Sequence, residues 1–171
     1  FVEKGEDFTQ DDVDAMVEEQ RKIIGQIVRL HRELQDRGHI EVSVSPFYHP
    51  ILPLLVDTDA ATLDRAGTRL PPRFAYPEDA DAQIGAAIAF YRERFGREPQ
   101  GMWPPEGAVS QATAGLLRRH GVRWIATDEG VLARSGHHGY RVEDPGVLCQ
   151  PYRALDSADD DPRDPERGLS V

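Results

Sequence analysis

Apolar residues along the chain fall into two rhythms, separated each time by a glycine. Val13, Met16, Val17, Ile24, Ile27, Leu30 and Leu34 recur at helical spacing, which predicts a helix from about Gln10 to Arg37. Thr9 is placed to cap it, Asp11 and Asp12 suit its first turn, and Phe8 can staple onto Val13. Gly38 then stands where a helix stop is expected. The next stretch, HIEVSVSP, alternates instead, with Ile40, Val42 and Val44 on one side, and predicts a strand. The prolines of FYHPILPLLVDT argue against regular structure, and Asp57 to Pro77 is expected to be irregular as well.

The same order then recurs twice. A second helix is predicted over Glu78 to Phe95, with Ala80, Ile84, Ala87, Ile88, Tyr91 and Phe95 inward and Gly96 as its stop. A short strand from Gln100 to Trp103 follows. A third helix, Val109 to His120, opens near Ser110, carries Leu116 and Leu117 and stops at Gly121. VRWIATDE is then a strand whose near-continuous apolar run suits burial on both faces. EGVLARS adds a helical turn, GVLCQPY is predicted as a fourth strand, and the acidic stretch from Asp156 reads as a mobile loop or tail, residues 156–171.

Helices and strands alternating through short links indicate α/β architecture, with parallel strands joined by crossover helices. In such folds the working groups gather at the C-terminal ends of the strands. Tyr48 and His49 follow the first predicted strand, Trp103 and Glu106 the second, and Asp128 and Glu129 end the third. All three sets should meet on one face.

The formal charge of −10 argues against nucleic acid and anionic membrane as partners. Hydrophobic residues at 39% and charged residues at 29% fit a soluble globular protein, and no apolar run approaches a membrane span. The opening FVEKGEDF has neither an initiator methionine nor the basic and apolar regions of a signal peptide. The single cysteine, Cys149, fits a reducing compartment, and a cytoplasmic location is expected.

The segment Gly101 to Gly107, GMWPPEG, concentrates the chemistry. Pro104 and Pro105 end any regular element, and Glu106 follows at once. That glutamate reads either as an acid favouring the dipole of the third helix or as a carboxylate held rigidly for use. An acid, an aromatic ring and a histidine on one rim suit carbohydrate chemistry, since rings stack on sugar faces and carboxylates act at anomeric carbons. Plainer roles stand beside these. Asp128 and Glu129 can cap the turn that follows them, or bind a substrate hydroxyl. His49 can be a hydrogen-bonded loop histidine, Trp103 can belong to the core, and Trp124, in mid-strand, is packing. His31 and His120 lie in helical patterns as surface or edge residues, and His137 and His138 sit adjacent in a glycine loop, a poor geometry for one metal. The chain has no H-E-x-x-H, paired-cysteine, phosphate-loop or G-x-S-x-G motif.

Three strings in this order, HIEVSVSPFYHPILPLL, GMWPPEGAVS and RWIATDEGVLARS, resemble consecutive motif regions of glycoside hydrolase family 57. The likeness extends over nearly all of Phe1 to about Ser135, including YPEDADAQI. It implies part of a distorted (β/α)7 barrel over residues 1–155, and retaining chemistry on α-1,4-linked glucans, as in amylases, branching enzymes and 4-α-glucanotransferases. It implies that Glu106 is the nucleophile, that Trp103 lines the sugar subsite, that His49 contacts substrate, and that Asp128 binds or supports. No metal or organic cofactor is implied. The family's early H-Q-P-type strand and its acid/base aspartate have no counterpart here, so the chain is expected to be an internal segment of a catalytic domain. An open barrel would expose strand edges and apolar helix faces, which favours self-association. Two other readings compete: a metal-dependent polysaccharide deacetylase on a related barrel, which needs an Asp-His-His set, and a glucan-binding module without turnover.

Overall fold

The computed structural model describes residues 3–135, 144–154 and 169–171. Its chain divides into two compact units, residues 1–42 and 43–171.

The first unit is built on one helix, α1 (Gln10–Asp36). Its start is a full capping box: the Thr9 hydroxyl accepts from the Asp12 N–H, and the Thr9 N–H donates to the Asp12 carboxylate at 2.8 Å. Lys4 adds an ion pair to the same carboxylate, and the Lys4 and Thr9 donors together hold it below the usual carboxylate range. At the other end Gly38 takes φ 73°, and its N–H and that of His39 reach back to the carbonyls of Gln35 and Leu34. These are the two bonds of a Schellman stop, so both predicted ends are observed.

The second unit carries the remaining elements: α2 (Leu52–Val56), α3 (Ala61–Asp64), α4 (Pro77–Phe95), β1 (Gly101–Met102), α5 (Gln111–Arg119), β2 (Trp124–Ile125), α6 (Glu129–Arg134), α7 (Pro145–Leu148), β3 (Arg153–Ala154) and β4 (Leu169–Ser170). The sheet order is β1-β2-β4-β3. Strand β1 pairs parallel with β2, and β2 parallel with β4, while β3 runs antiparallel to β4. Ahead of β1, Val44 forms a parallel bridge to Met102; its N–H donates to the Gly101 carbonyl and its carbonyl accepts from the Trp103 N–H. Leu52, Ile84, Met102, Leu117 and Ile125 form the centre of the core, each at most 3% exposed. Helices α4 and α5 thus bury most of the stripe their periodicity predicts in a core shared with α2, Met102 and Ile125, while Phe95 is half-buried.

Trp124 packs as predicted, and the reason lies opposite it. A Cβ on Gly101 would stand 2.0 Å from the indole, so the ring occupies the space a side chain would need. Register fixes this contact, because Gly101 pairs with Trp124 across the two strands.

Several expectations need correction. The stretch from Asp57 to Pro77 is not wholly irregular, since it holds α3. HIEVSVSP contributes only the Val44 bridge, since the N–H of Val42 is taken by the Gln35 side chain at 2.8 Å. FYHPILPLLVDT does contain a helix, α2, because Pro53 falls in its first turn, where no N–H is needed, and Leu52 reaches the core. GVLCQPY is not a strand: Asp144 caps α7, Pro145 starts it, and Cys149 follows exposed. The sheet is also not wholly parallel, for β3 is antiparallel, and β4 lies in the stretch expected to be a tail.

Candidate functional site

The turn that carries Glu106 is built by its neighbours. Pro104 and Pro105 are buried at its base, and Glu106 and Gly107 then take left-handed backbone in succession, with φ 57° and 64°. Two short bonds close it, from the Gly107 N–H to the Pro104 carbonyl and from the Ala108 N–H to the Pro105 carbonyl, each 3.0 Å. Gly107 is buried and Glu106 is exposed, so the peptide is anchored while the carboxylate is free to meet a ligand. Helix α5 begins at Gln111 and is capped by the Ser110 hydroxyl, which accepts from the Thr113 N–H at 3.2 Å. Glu106 therefore lies five residues ahead of α5 and outside its first turn, the part of a helix where its dipole acts on an acid.

Both neighbouring chain segments bond to this turn. The Ser45 hydroxyl donates to the Trp103 carbonyl at 2.9 Å, and the Thr127 hydroxyl donates to the Gly107 carbonyl at 2.6 Å. A Cβ on Gly107 would lie 3.4 Å from the Asp128 nitrogen, so the Glu106 turn abuts the end of β2. Parallel pairing thus brings Trp103, Glu106 and Asp128 to one edge.

Tyr48 and His49 reach that edge through the Val44–Met102 bridge. His49 is left-handed at φ 58°, and its N–H donates to the Pro46 carbonyl at 2.9 Å. Helix α4 holds the loop: the side-chain oxygen of Gln83 accepts from the Tyr48 N–H at 2.9 Å, and its main-chain carbonyl accepts from the Phe47 N–H at 3.2 Å. Tyr48 is 78% exposed and Trp103 53%, which leaves aromatic surface open to solvent at both positions.

Asp128 caps α6, accepting from the Gly130 N–H at 2.7 Å, and Glu129 is the acid of that helix's first turn. Both also line a hollow of about 650 Å³, together with Thr127, Leu132 and Tyr152. Ser45, Gln83 and Thr127 escaped the sequence reading, because nothing in a lone serine, glutamine or threonine announces which carbonyl or N–H it meets. Among the described residues no three His, Cys, Asp or Glu side chains gather as a metal-binding set, and His137 and His138 lie outside those residues. No described helix is long and apolar enough to cross a membrane.

A model of glycosyl hydrolase family 57 matches residues 3–161. The chain belongs to this family. One family relative is a 1,4-alpha-glucan branching enzyme, TK1436 of Thermococcus kodakarensis, 35% identical over 92 residues that make up 54% of this chain and 11% of that protein. Among solved structures, the 4-alpha-glucanotransferase of Thermococcus litoralis has the same fold over 94% of this chain and 19% of its own, with a TM-score of 0.59 at 20% identity. The chain therefore spans between about a tenth and a fifth of the length of these relatives.

Proposed function

We propose that this chain is the nucleophile-bearing segment of a retaining glycoside hydrolase or transglycosylase acting on α-1,4-linked glucan. The observation that carries the reading is the turn at Glu106: a carboxylate presented on two successive left-handed residues, over two buried prolines, beside the ends of parallel strands. Left-handed backbone at a residue with a side chain costs about 1–3 kcal/mol, and such strain is kept where the surroundings impose it for use. Family membership supports the reaction class, and the likeness to a protein named a 1,4-alpha-glucan branching enzyme supports an α-glucan as substrate.

In this reading Glu106 attacks the anomeric carbon and forms a β-linked glycosyl ester as the bond to the leaving oxygen breaks. A second carboxyl group, held roughly 5–5.5 Å away in retaining enzymes, protonates that oxygen. The same group then deprotonates a water, giving hydrolysis, or a glucan hydroxyl, giving transfer. An aspartate outside this chain supplies it, and the architecture of the whole domain is a distorted (β/α)7 barrel. Trp103 stacks on a sugar face, and Tyr48, His49, Asp128 and Glu129 bind hydroxyls around the cleft. Proton transfer and covalent catalysis complete the cycle without a metal or an organic cofactor.

A segment holding one of the two carboxyl groups is expected to be inactive by itself. The test therefore uses the full-length protein with amylose or glycogen, beside its Glu106→Gln variant. The account expects turnover in the parent and loss of at least three orders of magnitude in the variant, about 4 kcal/mol of barrier. Parental turnover in Glu106→Gln would remove Glu106 from the nucleophile's role.

A further inference from the structure

We infer that Ser45 and Thr127 are a pair of positioning residues that set the aim of Glu106, an assignment that rests on the nucleophile reading above. The two hydroxyls come from opposite sides. Ser45 adjoins Val44, whose bridge lies on one flank of β1, and Thr127 follows β2 on the other. They donate to the carbonyls of Trp103 and Gly107, the two ends of the short segment that contains Pro104, Pro105 and Glu106. Trp103 is held at both of its peptide groups from the same flank, since its N–H donates to the Val44 carbonyl at 2.8 Å. The segment between the two clamps can therefore neither slide along the strand direction nor rotate about it without breaking one hydroxyl bond.

Such a clamp matters because the turn is not self-sufficient. Its internal bonds, Gly107 to Pro104 and Ala108 to Pro105, fix its shape but not its direction relative to the sheet. Glycine at position 107 adds no side-chain contact of its own, and Glu106 sits in a conformation that its backbone would leave if released. Covalent catalysis tolerates little error here: a misplacement of about 1 Å costs on the order of a hundredfold in rate. Loss of a clamp should thus reduce the attack step while leaving the surfaces of Tyr48 and Asp128 in place, with Trp103 still tied through its N–H to the Val44 carbonyl. The effect belongs on kcat, and KM should move little.

The experiment compares Ser45→Ala, Thr127→Val, the double variant and Thr127→Ser in the full-length enzyme with amylose, recording kcat, KM and thermal melting. Thr127→Val is close in shape to threonine and exchanges the hydroxyl for a methyl group; Thr127→Ser keeps the hydroxyl and loses a methyl group. The inference expects kcat to fall by roughly ten- to a hundredfold in the double variant, with KM within about twofold and the midpoint of melting within a few degrees. Thr127→Ser should restore most of the rate. Unchanged kcat in folded Ser45→Ala and Thr127→Val proteins would overturn it, as would a rate loss that Thr127→Ser fails to recover. Should Thr127→Val not fold, Thr127→Ala takes its place under the same criteria. Glu106→Gln, run alongside, separates the two ideas. An inactive Glu106→Gln with fully active clamp variants defeats only the clamp, whereas an active Glu106→Gln defeats the nucleophile assignment itself.

Discussion

His49 and Glu106 share a backbone conformation that few side chains adopt: φ is 58° at the first and 57° at the second. Each follows one of two neighbouring parallel segments, joined by the Val44–Met102 bridge. Two strained residues at the same sheet edge are costly to keep. Bonds from helix α4 and from the flanking strands hold the two loops that contain them. The arrangement is what a binding edge with a fixed carboxylate requires.

Strain at Glu106 can be measured without substrate. Replacing it by alanine keeps a Cβ in the left-handed region, whereas glycine removes the conflict. Glu106→Gly should therefore be more stable than Glu106→Ala by about 1 kcal/mol, the reverse of the usual ranking. Urea denaturation of the two variants checks this, and a more stable alanine variant would mean that the turn relaxes.

Asp128 has a structural duty and a proposed functional one, and substitution separates them. Asp128→Ala removes the cap of α6 and should cost about 1 kcal/mol, while Asp128→Ser retains a capping oxygen. If Asp128 also accepts from a sugar hydroxyl, the stable serine variant should still show KM raised roughly tenfold, as expected for a lost bond to a charged group. An unchanged KM would assign the residue to capping alone.

The acid response of the α2 region follows from one ion pair. Arg73 donates to Asp57, which also accepts from the Asp59 N–H, and these donors hold the Asp57 carboxyl below its ordinary value. A lowered folded-state value means that the contribution is complete above the unfolded value, about 3.9, and is lost as pH falls through the folded one. Arg73→Met should move the Asp57 titration upward, towards the ordinary carboxylate range. Carbon-detected NMR of that carboxyl gives the answer, and a midpoint that does not rise would contradict the pairing.

Much of this was legible from residue order. Thr9, Gly38, Gly96, Ser110 and Gly121 mark helix ends because caps and left-handed stops have local chemical requirements, and all five stand at such ends in the structure. Pro104 and Pro105 announced a rigid turn for the same reason. What stayed hidden depends on contacts between distant residues. The alternation of Ile40, Val42 and Val44 has no way to record that Gln35 captures the N–H of Val42. Helix α2 is hidden in the sequence because a proline blocks a helix interior but not its first turn, where Pro53 stands. Ser45 and Thr127 act through carbonyls that parallel pairing brings alongside them, and that register is a property of the folded sheet.

The central claim is that the Glu106 carboxylate forms the covalent bond to sugar. It is tested most directly by trapping: the full-length enzyme is treated with a fluorinated α-glucosyl fluoride, whose glycosyl ester breaks down slowly, then digested and mapped by mass spectrometry. The account predicts a single added sugar on Glu106, and none in Glu106→Gln. A stable sugar ester on any other carboxylate of an active enzyme would contradict it.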